Sequence, residues 1–367
     1  MPPRSHRSNR RSFLKTFSAV TAIASLPALR SVWACVPTSH FDITTDSTTI
    51  QKFVALRDDT VIQSFCFDTA QNRLWTLQAS HGGQTAGDLY LSWIDLSTWT
   101  TSSQYMSLKG FGHGQGFYIE NSGSDTWVWV ECDALADATS PYEAFGTKVC
   151  RFQWVSSSPA TTIYSSTDTP GYTTGATIVS TADKYDLSPG CRHLTVTVDP
   201  CNSRMLIRSL ESSVPWIRIY DLSDVKTNGL TATLLHHFTQ MTIESDTTTS
   251  GAQVAEPLQG VALYGNFVYY ISGFEKGHTG MGTTCSQPTA QPTYLYYQST
   301  LPDDNHAGYS APTTAGYSLP RREPEGIGVW QASSGSRLVL GFSGPADSTD
   351  CGANSFVSSF YSKDTLM

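Results

Sequence analysis

Charge is scarce in this chain, and positive charge is scarcer still. Charged residues are 15% of the 367, with 23 Lys and Arg against 31 Asp and Glu. Six of the basic residues (Arg4, Arg7, Arg10, Arg11, Lys15 and Arg30) fall within the first 34 positions, where there is no acid. The remainder therefore carries 17 basic against 31 acidic residues, a formal charge of −14. Such a surface lacks the basic footprint that generic binding to nucleic acid or to an anionic membrane requires. Long helical periodicity is missing, as are a linker and any second domain. No GxSxG, HExxH, phosphate-binding loop or dinucleotide fingerprint occurs, and no Cys or His spacing suggests zinc. The sequence identifies no cofactor.

The N-terminus is set apart from the fold. Arg10-Arg11-Ser12-Phe13-Leu14-Lys15 reads as a twin-arginine export signal, followed by a modest apolar stretch from Phe17 to Leu29. That stretch is too short and interrupted for a membrane span. Cleavage is expected after Ala34, leaving residues 35–367 as one secreted, monomeric domain. The mature chain keeps eight cysteines, an even number in a compartment that permits disulfides. Cys191 with Cys201 is the first expected pair and Cys132 with Cys150 the second. Cys35, at the new terminus, is alternatively a site for lipid.

What the chain has in plenty is alternation of aromatic and β-branched residues, as in Trp127-Val128-Trp129-Val130, broken by Gly, Ser, Asp and Asn clusters. One pattern recurs five times: a Gln, His or Glu, a small or apolar residue, then a strand. The copies begin at Gln63, Gln115, His193, Gln259 and Glu325, spaced 52, 78, 66 and 66 residues apart. Each is followed by a second strand and, later, a third. Repetition of such a unit predicts an all-β fold, a five-bladed β-propeller. The segment from Phe41 to Leu56 is expected to complete the last blade. Three stretches read as long loops: Ser156 to Lys184, Ile243 to Val254 and Glu275 to Thr293.

In a propeller the repeated polar residue becomes a ring around the axis. Gln63, Gln115, His193, Gln259 and Glu325 would line its mouth, suited to sugar hydroxyls, or would instead satisfy buried backbone groups. Lys109, His113, Arg192, Glu256, Arg322 and Glu323 lie beside the same positions. Gln63, Lys109, His113, Gln115, Arg192, Gln259 and Arg322 are the candidate substrate-binding residues. Glu325 or Glu323, acting with Glu256 or His193, are the candidate acid and base if the protein is an enzyme. Glu131-Cys132-Asp133, with Gln78 and His81 at the corresponding position of the first blade, stand at strand ends that can line a pocket; a structural part is favoured for them. Trp93, Trp99 and Trp154 could stack on sugars, but packing between blades is the favoured reading.

Several segments carry a resemblance. Gln63-Ser64-Phe65-Cys66-Phe67-Asp68, Asn72-Arg73-Leu74-Trp75, Ala86-Gly87-Asp88-Leu89, Leu108-Lys109-Gly110-Phe111-Gly112-His113-Gly114 and Arg322-Glu323-Pro324-Glu325-Gly326 are involved. They resemble a secreted actinobacterial group labelled teichoic acid biosynthesis protein C. That group is similar to the propeller domain of staphylococcal phage receptor-binding proteins and to helveticin-like bacteriocins. The resemblance implies a five-bladed propeller recognising a cell-wall glycopolymer, and it carries no catalytic residues with it. Binding of a cell-wall or environmental polysaccharide is the leading expectation. A glycoside hydrolase or polysaccharide lyase on the same scaffold is the alternative.

The export reading makes a direct prediction. In a bacterial host with twin-arginine export, intact-mass measurement of the exported fraction should give a chain beginning at Cys35. The double replacement Arg10→Lys and Arg11→Lys should hold the uncut precursor in the cytoplasm.

Overall fold

The structure is a computed structural model. It describes residues 38–80, 87–136, 144–156, 160–187, 190–243, 245–247, 253–255, 258–273, 293–319, 322–345 and 356–367. The described residues form a five-bladed β-propeller, with five sheets of at least four strands, antiparallel but for one added edge strand. The innermost strands are Ile62–Asp68, Phe117–Ser122, Arg192–Asp199, Leu258–Tyr264 and Glu323–Ala332. Each lies against the innermost strands of the two blades beside it, and the fifth lies against the first, so the five enclose an axis. The one α-helix described, Leu222–Asn228, is capped by Asp221, whose side chain accepts from the Asp224 N–H. Among the described residues no helix is long and apolar enough to cross a membrane.

Alternation explains why a propeller forms. Successive residues of a strand point to opposite faces of its sheet. Here both faces are covered, each by a neighbouring blade. Val128 and Val130 join a cluster with Leu77, Leu91 and Met106 of the first blade. Trp129, between them, joins Val196, Met205 and Ile207 of the third. The same division recurs in the fourth blade, where Val268 and Tyr270 face the third blade and Tyr269 and Ile271 face the fifth. A last cluster joins Val54, Val339 and Phe360 of the fifth blade to Ile62, Phe65, Leu74 and Ile94 of the first. Five apolar clusters thus fill five interfaces. Burying one such side chain contributes about 1.5–3 kcal/mol, whereas an exposed ion pair gives about 0–1 kcal/mol. Packing between blades therefore holds the ring. Trp154 meets Trp75 edge to face at 4.8 Å, and Trp99 lies 5.8 Å from Phe360, in keeping with the expected packing role of these rings.

The ring is closed by its first strand. Thr48–Ala55 pairs antiparallel with Phe356–Lys363 as the outermost strand of the fifth blade. A bridge between Phe41 and Leu366 continues the closure. This matches the expectation for Phe41 to Leu56.

Two expectations need correction. The stretch from Ser156 to Lys184 is not wholly loop. Thr161–Tyr164 runs parallel to Thr100–Lys109 and adds a fifth strand to the first blade. The expected disulfides also do not form. Cys66, Cys132 and Cys150 are free thiols, and Cys201 is disulfide-bonded. Cys191 and Cys201 flank the extended strand Arg192–Asp199 at its two ends. At about 3.3 Å per residue the strand holds them several times farther apart than the roughly 4.4–6.8 Å between α-carbons that a disulfide spans. Cys132 pairs across with Lys148, and Cys150 with Val130, so these two cysteines sit diagonally rather than opposite each other. Cys35, Cys285 and Cys351 lie outside the described residues.

Closure should be sensitive to the buried face of the first strand. Val54 is 4% exposed, so Val54→Asp places an unpaired carboxylate in the closing interface. Urea unfolding should show a loss of about 3 kcal/mol or more. Phe53→Asn, at an exposed neighbour with φ of 57°, should change stability by no more than about 0.5 kcal/mol.

Candidate functional site

The repeated polar residues share a backbone device. In four blades the ladder between the innermost strand and the next slips near the start of the innermost strand. The slips fall between Ile62 and Ser64, Arg192 and Thr195, Leu258 and Gly260, and Pro324 and Ile327. The residues skipped include Gln63, His193, Gln259 and Glu325. In the second blade Gln115 stands just ahead of its strand, Phe117–Ser122. A bulge bends the strand and re-aims the side chain it carries. His193 pays for this with a left-handed backbone, φ 53°, which a non-glycine residue rarely adopts. Gly260 is required by crowding, because a Cβ there would lie 2.9 Å from the Gly326 Cα of the next blade.

The structure brings some predicted residues together and separates others. Gln115 reaches across the ring, its Nε2 donating to the Leu258 carbonyl of the fourth blade at 2.7 Å. Gln259 Nε2 donates to the Gly273 carbonyl at 3.3 Å, and Gln63 is buried beside Gly114. Glu325 is buried and Glu323 half-buried, on either side of Pro324. Lys109 is turned back to Asp88, Nζ to Oδ2 at 2.8 Å. Arg192 is exposed. Arg322 is buried, its Nη2 donating to the Thr313 carbonyl at 3.3 Å, and it does not line the axial cavity. Glu256 and His81 lie outside the described residues.

His113 and His193 meet through a residue that the repeat did not single out. Phe145 stacks on His193 with centroids 3.6 Å apart and planes 10° apart. It also stacks on His113 at 5.1 Å and 20°. Burial, with repulsion from His193, lowers the His113 pKa to about 4, so His113 is neutral at physiological pH. Phe145 comes from the two-residue strand Ala144–Phe145, which no periodicity marks.

Beneath the stack lies Glu131, 1% exposed. Its carboxyl accepts the N–H groups of Gly114 and Gly146, each at 2.6 Å, and that of His113. Glycines line this cradle because a Cβ at Gly112 or Gly146 would overlap the Glu131 side chain. Burial raises the pKa to about 7, against the opposing pull of the three N–H groups. Arg208, on the second strand of the third blade, is a further residue missed from sequence. Its Nε donates to Gln240 Oε1 at 2.9 Å and its Nη1 to the His193 carbonyl at 3.5 Å. Its only sequence signal is a cation inside the otherwise buried run Met205 to Ser209.

The axis itself is narrow. Residues from all five innermost strands or their approaches, among them Phe65, Gln115, Val198, Val261 and Gly328, enclose a cavity of about 30 Å³. That is room for a water molecule or two and far below the size of a sugar-binding pocket. A saccharide would have to lie on the mouth. Among the described residues no group of three or more His, Cys, Asp and Glu is placed to hold a metal ion.

No family model matches the chain, and no curated protein does. Among solved structures it is similar to the tail fiber of Staphylococcus aureus phage P68, with a TM-score of 0.57 and 14% identity, over 87% of this chain and 52% of that one. The chain thus spans about half the length of that protein, and the likeness is one of fold. More distant likenesses are to an alpha-L-arabinofuranosidase from Lactobacillus brevis and an endo-1,4-beta-xylanase from Bacteroides thetaiotaomicron. The first has a TM-score of 0.43 and 9% identity, over 82% of this chain and 91% of that one. The second has 0.40 and 10%, over 88% and 96%.

The Glu131 cradle has a pH signature. A carboxyl whose folded pKa is raised stabilises fully below its unfolded pKa of about 4.5 and loses that contribution as pH rises through about 7. Relative to wild type, Glu131→Gln should therefore gain stability between pH 4 and pH 8, by a few kcal/mol at most. Urea midpoints at the two pH values check this. Equal differences at both would show that Glu131 does not titrate in this range.

Proposed function

We propose that the protein is an exported carbohydrate-recognising propeller that binds a cell-wall or environmental polysaccharide across the mouth of its axis. One observation carries the reading. In four blades a bulge interrupts the inner ladder at the same end, and the residues it re-aims include an amide, an imidazole or a carboxylate. Such groups both donate and accept, as sugar hydroxyls require. The stacked rings of His113, Phe145 and His193 add an aromatic surface suited to the apolar face of a pyranose. The narrow axis favours a chain lying over the ring rather than a sugar entering it.

Binding is favoured over cleavage by the state of the carboxyls. Glu131 has its oxygens engaged by backbone N–H groups, and Glu325 is 4% exposed. A glycosidase needs two carboxyls facing across an open site. In the alternative reading, Glu325 or Glu323 with Glu256 or His193 serves as acid and base.

The deciding experiment incubates the mature protein with a panel of cell-wall and plant polysaccharides. It follows co-sedimentation and the masses of soluble products. At least one polymer should co-sediment without yielding oligosaccharides, and His193→Ala should weaken that binding about tenfold or more, the loss of roughly 1.4 kcal/mol. Oligosaccharides released by wild type and not by Glu325→Gln would overturn the binding reading in favour of an enzyme.

A further inference from the structure

A second cluster, away from the axial cavity, collects hydrogen-bond donors without an anion. Arg322 is 3% exposed, and among the described residues its Nε has no hydrogen-bond partner. Its guanidinium carbon lies 5.1 Å from the Phe342 ring. Among the described residues, the ionisable side chains that act on it electrostatically are two phenols, Tyr361 and Tyr317. Tyr361 packs edge to face on the same Phe342 at 5.7 Å, is 5% exposed, and among the described residues its hydroxyl also has no hydrogen-bond partner. Over the Tyr361 ring stands Lys52, with Nζ 5.9 Å from the centroid. Lys52 also donates to Ser318 Oγ at 3.4 Å, within the turn that presses Gly316 against Phe342. Tyr317 and Ser318 are exposed, which puts the rim of the cluster at the surface.

Burying a guanidinium costs several kcal/mol unless a charge and hydrogen bonds compensate. One long bond to a carbonyl and the face of a phenyl ring compensate little. A phenol hydroxyl, a guanidinium Nε–H and a nearby ammonium are together a donor set for an anionic oxygen ligand. We propose that Arg322, Tyr361 and Lys52 form a binding site for an oxyanion of carboxylate or phosphate type, entered past the turn at Tyr317 and Ser318. Its elements are the ring-closing strand through Lys52, the fifth blade through Arg322 and Tyr361, and the turn that leaves the fourth blade. An anion here ties the closing strand to the fifth blade and so stabilises the ring. The site stands independently of polysaccharide binding at the mouth.

The test titrates the mature protein, in a phosphate-free amine buffer at constant ionic strength, with inorganic phosphate and separately with glucuronate. Thermal midpoint and calorimetry are the readouts. A saturable rise in midpoint with either anion is expected, and the responding anion identifies which group the site takes. Tyr361→Phe keeps the ring on Phe342 and removes only the hydroxyl; it should weaken binding about tenfold. Arg322→Met should abolish the response. No saturable response to either anion, or a Tyr361→Phe protein that binds as wild type does, overturns the proposal. Tyr361→Phe keeps the test decisive should Arg322→Met fail to fold.

Discussion

Everything in this molecule depends on each sheet being packed on both faces. A single blade would leave one side of Val128, Trp129 and Val130 in water. Neighbours cover both, and only a closed ring gives every blade two neighbours. Hence the strands read as nearly continuous apolar runs instead of a clean apolar and polar alternation. Leu258–Tyr264 is buried at all seven positions. Polar character survives where the ladder is broken, at strand starts and in turns, and there it becomes available for function.

The same constraint explains what could be read from sequence. Blade number and the ring-closing strand were legible because they rest on repetition and alternation, which packing enforces in every copy. The ring residues were legible because the bulge recurs at the same place. Phe145 was not, since a two-residue strand in a turn-rich segment leaves no period. Glu131 stands at a legible strand end, where a structural part is favoured over a pocket-lining one, but nothing in the sequence shows what surrounds it. Its glycine cradle comes from two chain-distant segments, around Gly112 and Gly146, that only the fold juxtaposes. The cysteine pairing failed for a related reason. Nearness in sequence was taken for nearness in space across a strand that holds its ends apart.

Electrostatics at the two sites follow opposite rules. At the mouth, carboxyl and imidazole groups are buried against backbone N–H groups and rings, which favours neutral or compensated forms: Glu131 is pushed up and His113 down. Around Arg322, burial opposes a charge that an arginine gives up with difficulty. Its pKa, lowered to about 10, still leaves it cationic at neutral pH. Neutral groups thus gather at one end of the ring, while the flank of the fifth blade holds a fixed charge.

The closing strand also sets an order of events during synthesis. Thr48–Ala55 is made some 300 residues ahead of its partner Phe356–Lys363. Throughout elongation the early strand has an unpaired edge and nothing to cover Val54. Four blades can assemble in sequence, but the fifth interface waits until Phe356–Lys363 has been made. Pairing segments some 300 residues apart is a contact of very long range, the kind that slows folding and lengthens exposure to edge-to-edge aggregation. The early strand reads Thr48-Thr49-Ile50-Gln51-Lys52-Phe53-Val54-Ala55. Its polar residues and single lysine make it a poor template for aggregation during that wait.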